Sequence, residues 1–241
     1  MASPTRAGLT GDVPGRGTGP VALLLLSDGR FPSGGHAHSG GAEAAIAAGR
    51  VHDPATLEQF CRGRLHTTGL VAAGLAAAAA GGCDPLPLDA AADARTPSPA
   101  LRRVARRLGR QLMRAARVAW PDPRLHALAA ARPEGVHQPI VLGLVARAAG
   151  LAPPEAAQAA AYDTVCGPVT AAIRLIGLDP FQATGVLARL TGAIEDVADQ
   201  AAGHAARVPA EGTDAIPAAS APLLDITAEQ HAAWPVRLFA S

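Results

Sequence analysis

Apolar residues recur at steps of three and four positions from residue 54 to about residue 80, and this spacing predicts a helix with one buried face. The positions that carry the pattern are Leu57, Phe60, Cys61, Leu65, Thr68, Val71 and Leu75. Asp53-Pro54 precedes this run, and Asp179-Pro180 precedes a second long segment. Asp is a favoured helix cap and Pro a favoured first helical residue, so both dipeptides are predicted to begin helices.

The apolar content of the chain is mostly Ala and Leu, whereas the aromatic residues are only two Trp, one Tyr and four Phe. Sheets favour Val, Ile and aromatic residues, while Ala and Leu favour closely packed helices. The sequence also lacks the alternating runs that strands need. We therefore predict an all-α fold, with about eight to ten helices in one helical-bundle domain over residues 20–208.

Composition divides the rest of the chain. Residues 1–19 are rich in Gly, Pro, Thr and Ser and are predicted to be a disordered leader. Residues 209–221 are rich in Ala, Pro, Gly and Ser and are predicted to be a flexible loop. The remaining residues, 222–241, are called the tail below.

Residues 27–43, called the elbow below, interrupt the helical pattern near the N-terminus. They contain Pro32, Gly34-Gly35, His36, His38 and Gly40-Gly41. The glycines can adopt positive φ angles and Pro32 stiffens the bend, so an irregular segment is predicted. Ser39 is predicted to cap the following helix, with Glu43 in its first turn.

Charge and cysteine content exclude several classes of function. The formal net charge is +1, which gives no overall attraction to nucleic acid or to a membrane. Every basic residue except the histidines is Arg, so the chain has no lysine for a P-loop, a Schiff base or pyridoxal attachment. Cys61, Cys83 and Cys166 are far apart in sequence, which indicates reduced thiols in a cytoplasmic protein. The apolar run Leu23–Leu26 is too short to span a membrane.

The predicted helix over residues 99–120 is strongly basic on one side. Its arginines are Arg102, Arg103, Arg106, Arg107, Arg110, Arg114 and Arg117, and no carboxylate lies between Asp93 and Asp122. The pattern fits a solvated helix face, or a docking surface for an acidic partner. Nucleic acid is disfavoured because no aromatic residues alternate with the arginines.

The string from Arg30 to Glu43, Arg-Phe-Pro-Ser-Gly-Gly-His-Ala-His-Ser-Gly-Gly-Ala-Glu, resembles the N-terminal signature of the UreF family of urease accessory proteins. Three later features are also similar to that family: His137 with Gly143, the Ala-Ala-x-Arg-Leu segment at residues 171–175, and the terminal Arg-Leu-Phe-x-Ser at residues 237–241. The resemblance covers residues 20–241.

The resemblance implies a non-catalytic protein required for incorporation of nickel into apo-urease. Proteins of this family bridge a UreD/UreH-type accessory protein and the GTPase UreG, and the assembly docks on apo-urease. The resemblance also implies a symmetric homodimer in the cytoplasm. It implies that no cofactor is stably bound, while nickel passes through the complex, and that neither nucleic acid nor a membrane is a partner.

Two partner-binding surfaces follow from this resemblance. The elbow is expected to lie near the dimer centre or the GTPase-binding face, through Arg30, Pro32, Gly34, Gly35, His36, His38, Ser39 and Glu43. The tail is expected to order against the UreD-type partner, through Leu223, Leu224, Asp225, His231, Arg237, Leu238, Phe239 and Ser241.

Two other functions stay open at this point. One is regulation of GTP hydrolysis by the partner, with Arg30 as a possible arginine finger. The other is direct nickel binding by His36 and His38, since imidazole suits nickel. One such pair is only half a site, and a symmetric dimer would double it.

The remaining polar residues do not predict an active site. Asp28, His36 and Ser39 are the residue types of a hydrolytic triad, but a triad needs groups that converge from separate elements. Glu195 and Asp199 lie four positions apart, where two carboxylates could share a proton or a cation, although a solvated acidic face is the simpler interpretation.

Overall fold

The computed structural model describes residues 19–239, apart from the side chain of His36. Within that part of the chain all regular structure is helical, which confirms the predicted all-α fold. The α-helices are α1 (Pro20–Ser27), α2 (Ala42–Ala47), α3 (Pro54–Arg64), α4 (Leu70–Ala80), α5 (Pro85–Ala94), α6 (Pro99–Ala119), α7 (Pro123–Ala131), α8 (Gln138–Ala148), α9 (Pro153–Leu175), α10 (Pro180–Ala205), α11 (Val208–Glu211) and α12 (Pro222–Ala232). A π-helical turn, Leu65–Gly69, joins α3 to α4, and 3₁₀ turns lie at Gly35–Ala37 and Gly212–Ala215.

Four helices, α3, α5, α7 and α10, begin at Asp-Pro dipeptides. The Asp53 carboxylate accepts a hydrogen bond from the Thr56 N–H at 2.7 Å, and Asp179 accepts one from the Phe181 N–H at 2.9 Å. Both caps were predicted from the sequence. Asp84 and Asp122 act in the same way at the starts of α5 and α7.

Helix α4 forms the centre of the core. It packs against α8, α9 and α10, and ten of its eleven residues are buried. Most of those residues are Ala, so neighbouring helices approach closely and the core is filled by small side chains.

The segment 209–221, expected to be a flexible loop, contains the end of α11 and the 3₁₀ turn in the structure. Ile216 is 1% exposed, so it belongs to the core. The Arg95 guanidinium donates hydrogen bonds to the carbonyl oxygens of Thr213, Ile216 and Pro217, each at 2.9 Å. The residues of the turn are polar or small, but a side chain about 120 positions earlier fixes their backbone, which composition could not indicate.

The tail begins with α12, whose carboxylates cap the N-terminus of α6. The Asp225 carboxylate accepts from the Ser98 N–H at 3.1 Å, and the Glu229 carboxylate accepts from the Ala100 N–H at 2.7 Å. Both acceptors lie at the N-terminus of α6, where free N–H groups and the helix dipole favour negative charge. Helix α12 is thereby fixed to α6.

Candidate interaction site at the junction of elbow and tail

The elbow and the tail, distant in sequence, meet on the carboxylate of Glu43. Its oxygens accept hydrogen bonds from the Leu238 N–H at 2.9 Å and the Phe239 N–H at 3.1 Å. The His231 Nε2 lies 2.8 Å from Oε2 of the same carboxylate. The side chains of Glu43 and His231 are almost fully buried. One acidic side chain of the elbow therefore holds the described end of the chain.

The backbone of the elbow places Glu43 in this position. The sequence predicted that both glycine pairs can adopt positive φ angles, and Gly34, Gly40 and Gly41 do so, whereas Gly35 does not. Gly41 occupies the N-cap position of α2, two residues after the predicted cap. Ser39 is fully buried and its hydroxyl accepts from the Glu43 N–H at 3.3 Å, so it still satisfies one free donor of the helix.

Two opposing effects act on the Glu43 carboxyl. Burial alone would raise its pKa, but the hydrogen bonds from Leu238, His231 and Phe239 outweigh burial and lower the pKa. The junction is thus held with Glu43 as a carboxylate. The His231 Nδ1 is buried without a hydrogen-bond partner among the described residues, and its ring packs against Trp234 with ring centroids 4.7 Å apart.

Apolar contacts complete the junction. Phe239 is 6% exposed and forms a small cluster with Ala42 and Ala171, against which Ile46, Phe60 and Leu175 also pack. Leu224 lies beside Gly41 of the elbow. The aromatic ring of Phe239 therefore fills a gap between α2 and α9 while its N–H bonds Glu43.

The docked tail leaves apolar side chains facing outward. Leu223 is 54% exposed, Ile226 56%, Val236 78% and Leu238 74%, and Arg237 is exposed beside them. Exposed apolar side chains concentrated on one segment are typical of protein interaction surfaces. These four aliphatic residues are called the tail ridge below.

The other residues predicted for the elbow occupy varied positions. Arg30 is exposed and its guanidinium bonds the Asp28 carboxylate, with Nη2 2.7 Å from Oδ2. Pro32 is exposed and Gly35 is half-buried. The side chain of His36 and all of Ser241 lie outside the described part of the chain, so the His36/His38 pair stays a prediction.

His38 is buried, and its Nε2 lies 3.5 Å from the Arg107 guanidinium. A guanidinium at that distance repels a cation, which disfavours nickel on this nitrogen. Within residues 19–239 no group of three or more His, Cys, Asp and Glu side chains is arranged to hold a metal ion. The buried Ser39, bonded to the Glu43 N–H, is also unsuited to be a nucleophile.

Sequence reasoning missed an acidic residue that lines two cavities of the bundle. Asp163 of α9 faces two adjoining cavities of about 230 and 180 Å³, both also lined by Gly35, His38, Gln138 and Gly167. Desolvation by the surrounding protein raises the pKa of Asp163. The charge of Arg64 and a 3.2 Å hydrogen bond from Gln138 act in the opposite direction. Its signal in the sequence is a carboxylate in the middle of the mainly apolar helix α9, where the other acidic residue, Glu155, lies in the first turn.

The described residues thus form an all-α protein in which the elbow and the tail meet on the buried carboxylate of Glu43. None of the helices in residues 19–239 is both long and apolar enough to cross a membrane.

Comparison with known proteins identifies the family. The family model UreF matches residues 51–191. The chain is 43% identical to the urease accessory protein UreF of Mycolicibacterium vanbaalenii over 225 residues, which cover 92% of this chain and 98% of that protein. It is 42% identical to the protein of the same name from Mycobacterium tuberculosis over 217 residues, covering 89% of this chain and 95% of the relative. The chain belongs to the UreF family of urease accessory proteins.

Proposed function

We propose that this protein is a non-catalytic scaffold for the incorporation of nickel into apo-urease. It bridges a UreD/UreH-type accessory protein and the GTPase UreG, works as a homodimer in the cytoplasm, and docks with its partners on apo-urease. Nickel is the cargo of the assembly and no cofactor is stably bound. Family membership supports the general role in urease maturation, and the partners and the homodimer are part of the proposal.

The junction at Glu43 carries the proposal. Tight fixation of the tail to the elbow orders the tail ridge on the surface of the isolated chain. A ridge of exposed aliphatic side chains gains free energy when a partner covers it, at about 25 cal/mol per Å² of apolar area removed from water. We assign the tail ridge to the UreD-type partner and the outer elbow, with Arg30 and Pro32, to UreG.

The cavities at Asp163 support a protected route for nickel. They reach from the elbow to the interior and are lined by the oxygen-bearing side chains of Asp163 and Gln138. Weak oxygen ligands suit transient passage of a cation better than storage. On this proposal Asp163 would meet the ion in transit.

The test is co-purification of the tagged chain with co-expressed UreD-type and UreG-type proteins. Truncation after Ser220 is expected to abolish capture of the UreD-type protein and to retain UreG. Because truncation also removes the carboxylates that cap α6, a second variant, Leu238→Ser, changes only one exposed side chain of the ridge. Val118→Ser is its matched control, since Val118 is 83% exposed on α6. Equal capture by both point variants and the intact chain would refute the assignment of the ridge.

Regulation of UreG is the second candidate function, favoured by the 91% exposure of the Arg30 side chain. Arg124 is a close internal control: its guanidinium bonds Asp122, two residues earlier, in the same manner as Arg30 bonds Asp28. If Arg30 acts as an arginine finger, Arg30→Ala lowers GTP turnover by UreG in the complex and Arg124→Ala does not. Equal turnover with both variants would exclude the finger and leave the scaffold.

A further inference from the structure

A basic groove lies between α6, α7 and the segment that follows α7. It has a volume of about 170 Å³ and shares no lining residue with the cavities at Asp163. Gly109 makes the groove possible, because a Cβ at this position would collide with the carbonyl oxygen of Val136. The segment after α7 can therefore pass close to α6 and close one end of the groove.

Four arginines surround the groove: Arg110, Arg114, Arg117 and Arg132. Arg110 is bonded to the backbone carbonyl of Glu134, and Arg132 lies 3.6 Å from the Glu134 carboxylate. Arg114 and Arg117 form no hydrogen bond or ion pair with any other residue of the described chain. The Arg132 Nε is buried and also without a hydrogen-bond acceptor there. The groove thus concentrates positive charge that the protein's own carboxylates leave largely uncompensated.

The floor of the groove is apolar. Met113 and Leu128 are buried beneath the arginines, with Ala129 and Val141 beside them. None of the lining side chains is aromatic, so the groove offers no stacking platform for a nucleic acid base. Guanidinium groups around an apolar floor match a carboxylate-bearing peptide with one aliphatic side chain.

We propose that this groove binds an acidic segment of a partner protein, with an aliphatic side chain in the pocket and flanking carboxylates paired to Arg110, Arg114, Arg117 and Arg132. The site is separate from the tail ridge and from the elbow. It accounts for the arginines at the C-terminal end of α6, which a merely solvated helix face does not require. Binding here does not depend on the assignment of UreD-type and UreG-type partners proposed above.

The test measures fluorescence anisotropy of a labelled peptide of six glutamates around a central leucine, titrated with the full chain. The double variant Arg114→Gln/Arg117→Gln is expected to weaken binding about tenfold or more, because two close carboxylate–guanidinium contacts are lost. The matched control is Arg62→Gln/Arg174→Gln, which removes the same charge from exposed positions on α3 and α9. The control is expected to change binding by no more than about twofold, through long-range charge alone.

A second peptide, with glycine in place of leucine, tests the apolar floor and is expected to bind more weakly than the first. The proposal is overturned if no binding occurs, if both double variants weaken binding equally, or if the glycine peptide binds as well as the leucine peptide. It is also overturned if sedimentation shows a dimer that Arg114→Gln/Arg117→Gln dissociates, because a second copy would then occupy the groove. Unchanged thermal unfolding of both variants excludes misfolding as the cause.

Discussion

Two buried pairs of histidine and carboxylate hold this protein together in different ways. In the first, at the junction, Glu43 meets His231 and two backbone N–H groups of the tail. In the second, inside the bundle, the Asp89 carboxylate lies 2.6 Å from the His137 Nδ1 and accepts from the His137 N–H at 2.9 Å. The distances are similar, but the surroundings differ.

The interior pair belongs to a larger charge network. Arg106 donates to both oxygens of Asp93, at 2.9 and 2.7 Å, and to Asp89 at 3.1 Å. Asp93 also lies 3.4 Å from the His137 Nε2. This network joins α5, α6 and the start of α8, whereas the hydrogen bonds of the junction join the elbow only to α12 and the described end of the chain. Loss of the interior pair should therefore loosen the whole bundle, and loss of the junction should free mainly the tail.

The largest effect is expected from Asp89→Asn. The change removes a buried carboxylate that accepts hydrogen bonds from Arg106 and from the His137 N–H, and we expect a loss of about 3 kcal/mol in the free energy of unfolding. Urea denaturation measures it. The control is Asp93→Asn, since Asp93 is 40% exposed and solvent screens the charges that remain. An equal loss from both variants would show that burial of Asp89 is not the determining factor.

A smaller effect on global stability is expected from Glu43→Gln. The amide retains the shape of the side chain but loses the charge that three donors share, which we expect to cost about 1 to 2 kcal/mol. Unlike Asp89→Asn, this change should speed hydrogen exchange of the Leu238 and Phe239 amides selectively, with the core amides of α4 still protected. Glu195→Gln on exposed α10 is the control. If core and tail amides lose protection together, the two pairs are not independent.

The sequence predicts structure that depends on neighbouring residues, but not the contacts between residues that are distant along the chain. Helix starts at Asp53-Pro54 and Asp179-Pro180 depend on neighbouring atoms, and both were predicted correctly. The meeting of Glu43 with His231 joins residues 188 positions apart, and that with Phe239 joins residues 196 positions apart. Family resemblance singled out all three residues, but it assigned them to two surfaces. No local pattern encodes that one carboxylate receives donors from the far end of the chain.

The interior network was missed for a related reason. Asp89 and Asp93 lie four apart on an amphipathic helix, where a pair of acids is usually solvated, and His137 was singled out only by the family resemblance. Their partner Arg106 looked like one member of a basic stripe. Only the packing of α5, α6 and α8 distinguishes Arg106, which is paired, from Arg114 and Arg117.

The smallest effect is expected from acidification, which should weaken the Glu43 pair first and the Asp89 pair at lower pH. The folded-state pKa is lowered for Glu43 from its ordinary value of 4.5 and for Asp89 from 3.8. A lowered carboxyl pKa stabilises the fold above the ordinary value, and that stabilisation is lost as pH falls through the folded pKa. The junction should therefore begin to weaken below about pH 4.5, and the interior network only below about pH 3.8.

Amide proton shifts provide the measurement: Leu238 and Phe239 report on Glu43, and His137 reports on Asp89. A midpoint at or above pH 4.5 for Leu238 would contradict the stabilised carboxylate, and a Leu238 titration that persists in Glu43→Gln would assign it to another group.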